Sequence, residues 1–230
     1  MNQFTAEHTP AEIVKIFPKA SDLFKQRKID FCCGGNRPLT DVFTEKSLDE
    51  MTVLTELNTA YKNWINKGHA STDWDALSMT ELIDYITKTY HDPLEQELSA
   101  LNGFVTRVLT VHGKDHPHLE ELYNLYNLFQ TELIDHTIKE NNEVFPLIKE
   151  YEVNPSEELL AKIHDANGNL EDEHETTGNL LKQIREITND FEPPQGACNT
   201  YNMTYARLAE LESETYDHIH LENNILFKKL

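Results

Sequence analysis

Apolar positions recur at intervals of three and four residues through most of the chain. Leu133, His136, Glu140, Val144 and Leu147 fall on one such stripe, and Leu211, Thr215, His218, Glu222 and Ile225 on another. Ile163, Leu170, His174 and Leu181 align in a third, while His91 leads into Leu94, Leu98 and Leu101. That period is helical. It predicts four long helices over roughly 79–110, 118–151, 156–190 and 199–229, with Pro93 kinking the first or marking its real start. Capping signals agree: Thr9-Pro10-Ala11-Glu12, Ser47-Leu48-Asp49-Glu50, Ser78-Met79-Thr80-Glu81 and Asn154-Pro155-Ser156-Glu157 each read as a helix start. Pro193-Pro194 and Gly196 break the pattern between the last two long segments. Strand signals are few. The expected fold is all-α: a small N-terminal helical domain over 1–66, a linker over 67–78, and an up-down four-helix bundle over 79–230 whose short connections favour antiparallel neighbours.

The stripes carry polar residues where a bundle buries its side chains, and an unpaired charge there is costly. Two near-copies of one peptide stand out: Asp135-His136-Thr137-Ile138-Lys139-Glu140-Asn141-Asn142 and Asp217-His218-Ile219-His220-Leu221-Glu222-Asn223-Asn224. In each, a His and a Glu four residues apart share one helix face. One such pair alone also fits a surface contact. Two on separate apolar faces, with His91 and His174 on the other helices, offer four imidazoles and two carboxylates. If Glu140 and Glu222 both bridge, each of two ions receives two nitrogens and two oxygens. A solvent-derived oxo or hydroxo bridge then leaves one octahedral position open. Mixed His and carboxylate ligation without thiolate suits iron or manganese, and also zinc. The spacing differs from the Glu-x-x-His of ferritin-like proteins. No HExxH, Gly-rich phosphate loop or GxSxG elbow is present.

Composition narrows the setting. At 230 residues and 39% hydrophobic, the chain is long enough for a sizeable core. No apolar run approaches the roughly 18 residues of a membrane span. The start, Met1-Asn2-Gln3-Phe4-Thr5-Ala6-Glu7-His8, lacks the basic and apolar regions of a secretory leader. A net charge of -20 repels phosphate backbones and argues against nucleic acid. Three Cys argue against a disulfide scaffold and for a reducing cytoplasm.

The bundle resembles a haemerythrin-type di-iron domain over about residues 79–230. The whole chain is similar to the repair-of-iron-centres proteins of bacteria. The resemblance rests on Ile29-Asp30-Phe31-Cys32-Cys33-Gly34-Gly35, Tyr90-His91-Asp92, Asp135-His136 to Pro146, Glu173-His174-Glu175 and Asp217-His218 to Phe227. It implies that His91, His136, His174 and His218 ligate two non-haem irons and that Glu140 and Glu222 bridge them. Oxygen-carrying haemerythrins place a second His one turn after the third-helix His. Here that residue is Gly178, which leaves one iron less saturated and points away from simple oxygen carriage. The second peptide also ends in Phe227-Lys228 where its twin has Phe145-Pro146.

The remaining candidates are weaker. Asp135 and Asp217 precede ligands and, pointing about 100° away, serve a neighbouring helix's His or face solvent. His112, His116 and His118 sit in a Gly- and Pro-containing loop, where His116 and His118 read as chance zinc or nickel ligands or as nothing. His112 is a candidate for the edge of the metal site, and Cys198 reads as structural. Cys32 and Cys33 have Cα atoms roughly 3.8 Å apart, too close for an unstrained disulfide. Two buried small side chains and an exposed redox-active or metal-passing thiol pair are equal readings of those residues, and the resemblance favours the second.

The leading reading is a cytoplasmic stress protein that restores iron–sulfur clusters damaged by nitrosative or oxidative stress. It acts by donating iron, with Cys32 and Cys33 as a relay, or by converting nitric oxide at the open position. Its partners are then damaged iron–sulfur proteins and small nitric oxide or oxygen species. A haemerythrin-like oxygen or nitric oxide sensor is the alternative, and a purely structural bundle with core His the third. The short N-terminal helices need cover from the bundle or from a second copy, and a homodimer is the expectation.

Overall fold

A computed structural model describes residues 4–230; Met1–Gln3, which open both the first expected domain and the segment read as lacking a leader, lie outside the described residues. Every regular element among the described residues is helical, so the chain is all-α. It divides into two compact units: one reaches to Ser78 and takes in Ile219–Lys229, and the other is Met79–His218 with Leu230. Among the described residues, no helix is long and apolar enough to cross a membrane.

The first unit contains α1 (Pro10–Ile16), α2 (Ala20–Gln26), α3 (Leu39–Lys46) and α4 (Glu50–Asn66). The Thr9 capping box forms: the Glu12 amide donates to Thr9 Oγ1 at 3.2 Å, and the Thr9 amide to Glu12 Oε2 at 2.9 Å. The box expected at Ser47 does not. Ser47 is left-handed (φ 52) and closes α3, and Asp49 instead caps α4 by accepting from the Thr52 amide at 2.8 Å. A turn that tight needs a positive φ, which is incompatible with the extended backbone of an N-cap. α2 ends at Gln26, and the left-handed Lys28 (φ 55) follows it, ahead of Gly34 and Gly35. Ile13, Phe17, Phe24, Phe31, Leu39 and Leu57 are fully buried, and the C-terminal turns add Ile219, Ile225 and Leu226. The segment expected as a linker is tied to this unit. Trp74 is buried, Asp75 accepts from Lys15 Nζ at 2.6 Å, and the Asp75 carbonyl accepts from Lys229 Nζ at 3.0 Å.

The second unit is built from α5 (Met79–Ile86), α6 (Asp92–His112), α7 (His118–Lys139), α8 (Phe145–Val153), α9 (Glu157–Ile187) and α10 (Asn199–Leu221). α7 packs on α6 and α9, and α5 on α8. α5–α6 and α7–α8 are continuous rods, joined by single π turns at Thr87–His91 and Glu140–Val144. A third π turn, Glu222–Leu226, prolongs α10. The four rods match the four long helices expected. Pro93 neither starts nor stops the first rod; it follows its π turn. Proline has no N–H to give, and the residue before it bonds further back: the Asp92 amide reaches the Thr87 carbonyl, and ahead of Pro146 the Phe145 amide reaches that of Glu140. Lys228 stands at the corresponding place after the third π turn, so proline favours this geometry without being required for it. The α5 N-terminus takes its cap from afar, with the Met79 and Thr80 amides donating to the Glu152 carboxylate at 2.7 and 3.0 Å.

Candidate metal centre

The π turns fall on the candidate ligands. His91 ends one, while Glu140 and Glu222 open the other two. A π turn widens the helix by one residue, which re-aims the side chains on either side of it, and such turns gather at functional sites. The result is two donor groups, His91, Glu140, His218 and Glu222, and His136, Glu140, His174 and Glu222. Within each, one donor atom per residue lies within 4.8 Å of all the others. The two carboxylates belong to both groups.

All six side chains are buried, with Glu140 and Glu222 at 0% exposure. His91 Nε2 and His218 Nε2 are 2.9 Å apart, and His174 Nε2 and His136 Nε2 2.8 Å. Nitrogens about 2.0–2.1 Å from one ion and at right angles stand about 2.9 Å apart, so each imidazole pair fits one metal. Glu140 Oε2 lies 3.3 Å from His136 Nε2 and 3.5 Å from His91 Nε2, reaching one member of each pair. Two fully buried carboxylates carry a desolvation penalty of several kcal/mol each, which cations between them would offset. The donor set therefore fits a metal pair.

Outer hydrogen bonds fix two of the rings. His91 Nδ1 donates to Asn141 Oδ1 at 2.9 Å, and His136 Nδ1 to Glu173 Oε2 at 2.9 Å. With Nδ1 carrying the proton, Nε2 keeps its lone pair for a metal. Burial alone would raise the Glu173 carboxyl, but hydrogen bonds from Lys139 and His136 outweigh it and hold the group below its usual range. Asp135, considered for the role of serving a neighbouring helix's His, is exposed. At His136 that role falls to Glu173, which precedes His174.

Gly178 faces Tyr216. The Tyr216 hydroxyl donates to the Gly178 carbonyl at 3.4 Å, and a Cβ on Gly178 would meet only Tyr216 Cε1, at 3.9 Å. The position where oxygen carriers keep a further His is thus bounded by a tyrosine ring. Ala at this mid-helix site meets ordinary contact and loses less chain entropy. Gly178→Ala is expected to stabilise the protein by about 0.5–1 kcal/mol, read as a higher denaturation midpoint; a lower one would show the site to be closed. A cavity of about 30 Å³ is lined by Tyr90, Leu94, Glu97, Leu211, Thr215 and His218. Tyr90 stacks on the His218 ring at 5.7 Å, and burial keeps its hydroxyl protonated.

Cys32 and Cys33 lie in the first unit, and neither donor group includes them. Cys32 is buried and Cys33 half-buried. The Cys32 thiol is 3.7 Å from Cys33 Sγ and 3.4 Å from Asp30 Oδ1. Its hydrogen bond to Cys33, then burial, raise it well above the usual thiol range. Asp30 Oδ1 also accepts from the Cys32 and Gly34 amides, at 3.1 and 3.2 Å, and so shapes the loop. Two residues that the sequence reading passed over hold it from the C-terminal turns. His220 Nδ1 donates to the Phe31 carbonyl at 3.1 Å, and Asn224 Nδ2 to that of Cys32 at 2.9 Å. Burial pushes His220 down to about 4 and keeps it neutral. The only local hint was their place beside Glu222 in the repeated peptide.

His112 does not reach the metal ligands. It ends α6, a 21-residue helix that begins just after His91, about 30 Å away along the axis at 1.5 Å per residue.

Comparison with known proteins matches residues 82–230 to a family model described as "Hemerythrin HHE cation binding domain". Residues 6–61 match one described as "Domain of Unknown function (DUF542)". Iron-sulfur cluster repair protein ScdA of Staphylococcus epidermidis is 34% identical over 98% of this chain and 99% of its own. The protein of that name from Staphylococcus haemolyticus is 35% identical over 98% of each chain. Iron-sulfur cluster repair protein YtfE of Escherichia coli is 33% identical over 95% of this chain and 94% of its own. All six buried donors lie inside the segment matched to the cation-binding domain.

Proposed function

Since the chain belongs to the iron–sulfur cluster repair protein family, we propose that it restores iron–sulfur clusters damaged by nitrosative or oxidative stress, working from a di-iron centre. The observation that carries this reading is the pair of buried donor groups sharing Glu140 and Glu222. His91 and His218 would hold one iron and His136 and His174 the other, with Glu140 and Glu222 shared between them. Bound there, iron supplies redox chemistry or is itself the cargo.

The protein's own groups do the rest. Asn141 and Glu173 keep two imidazoles in the ligating tautomer. Glu140 and Glu222, as carboxylates shared by both groups, would give bound iron a labile hold from which it could pass to an acceptor iron–sulfur protein. Cys33, the more accessible thiol, passes the ion on, while Cys32 stays protonated and positions it. The cavity beside His218 favours a second use of the same centre, since its size suits a diatomic ligand such as nitric oxide. Three free thiols support a reducing compartment, the cytoplasm.

Protein purified without air from cells fed iron-57 tests the centre. Mössbauer spectra are expected to show about two spin-coupled irons per chain. A mononuclear signal, or none, would overturn the di-iron reading. Incubation with an acceptor iron–sulfur protein stripped of its cluster then separates the routes. Iron moves to the acceptor in donation, whereas in nitric oxide conversion it stays while the gas is consumed.

A further inference from the structure

At the opposite end of α6 from His91, two side chains with metal-binding chemistry meet outside the centre described above, and a third stands nearby. His112 Nε2 lies 3.3 Å from Cys198 Sγ, across 86 residues of sequence. Atoms bonded to one tetrahedral zinc, with zinc–sulfur at about 2.3 Å and zinc–nitrogen at about 2.0–2.1 Å, stand about 3.5 Å apart. The pair is therefore already at the separation of two ligands. The third is His116. Its amide donates to the His112 carbonyl at 2.9 Å, so the helical turn continues past α6 and puts both imidazoles on one face. Two His at i and i+4 on such a face are a zinc-binding spacing.

Two further features bear on this assembly. Cys198 stands at the start of α10, a 23-residue helix, with its carbonyl accepting from the Asn202 amide at 3.0 Å. Metal binds cysteine in the thiolate form. The buried Tyr201 ring meets both imidazoles edge-on, His112 at 5.6 Å and His116 at 5.7 Å. His118 plays a different part. Its Nε2 is engaged by the Tyr201 and Tyr205 hydroxyls at 3.1 and 3.0 Å, which anchors the loop. The ring centres of His112 and His116 are 6.4 Å apart, and the three donor atoms do not all lie within 4.8 Å of one another, so closure on an ion needs the half-buried His116 ring to swing in. Cys198 is exposed, so the site opens to solvent.

We infer that His112, His116 and Cys198 form a second metal site, selective for a thiophilic tetrahedral cation of the zinc class, with a fourth position open to water. Thiolate with imidazole selects zinc over the harder ions that suit the carboxylate-rich centre. Binding replaces the Cys198 S–H bond by a sulfur–metal bond and releases one proton. The inference is independent of the di-iron reading, because it uses none of the same residues.

Cobalt(II), a spectroscopic stand-in for zinc, tests it on the full chain with its iron in place. The expected result is a thiolate-to-cobalt charge-transfer band that saturates at one equivalent and is bleached by one equivalent of zinc. Cys198→Ser abolishes the band, and His116→Asn weakens binding at least about 10-fold. Cys32→Ser/Cys33→Ser leaves the band in place. A missing band, one that survives Cys198→Ser, or one lost with Cys32 and Cys33 would overturn the assignment. Circular dichroism on each variant confirms that the helices are intact.

Discussion

Leucine at both Glu140 and Glu222 is expected to abolish two-metal binding and, without metal, to make the chain more stable. Both carboxylates are at 0% exposure and both serve both donor groups. Without them each group keeps only two imidazoles, and no carboxylate remains among the donors to hold a cation pair. In the metal-free protein the same carboxylates are a burden, since burying a charge costs several kcal/mol and an apolar side chain of similar size removes that cost. Such replacements stabilise by about 1–4 kcal/mol. With metal the order reverses, because a ligand present at 1,000 times its Kd adds about 4 kcal/mol to the native state. Denaturation of wild type and Glu140→Leu/Glu222→Leu, with iron and with chelator, should therefore give curves that exchange places. Full iron content in the variant would remove the carboxylates from the site. A metal-free variant less stable than its parent would show that they hold the bundle together by other means.

Gly35→Ala is the second large effect. A Cβ at this position would lie 2.3 Å from the Phe31 carbonyl oxygen and 2.4 Å from its carbon. Both are backbone atoms, and His220 already grips that oxygen at 3.1 Å. The loop has no flexible side chain to move aside, so the backbone must shift and carry Cys32 and Cys33 with it. A loss of about 2–3 kcal/mol is expected, along with altered alkylation of Cys33. Gly34→Ala provides the contrast: its Cβ meets only the Asp30 side chain, at 3.4 Å, so it should cost far less. Equal effects from the two substitutions would show that the loop tolerates bulk and that Gly35 has no special place in it.

Helical periodicity is a local property, and what depends on it was legible in the chain. His136 with Glu140 and His218 with Glu222 read as ligand pairs because four residues make about one turn, whatever surrounds the helix. The all-α fold and the four long rods followed from the same spacing. Capping was less secure. Thr9 behaved as its neighbours suggested, but Ser47 was taken by the turn before it, and the start of α5 is served by Glu152 from a distant helix end. The π turns were only half visible. Pro93 and Pro146 mark two of them, but nothing local marks the one at Glu222.

Tertiary packing alone decided what stands behind and around the ligands. Glu173 reaches His136, Asn141 reaches His91, Tyr216 covers Gly178, and His220 and Asn224 hold the Cys32 loop. Cys198, read as merely structural, meets His112 in the same way. These pairings join residues 37 to 192 positions apart. The rotation of one helix against another sets such contacts, and it is the outcome of packing many side chains at once. A helix's own sequence states which face is apolar; it does not state which residue on the next helix that face will meet.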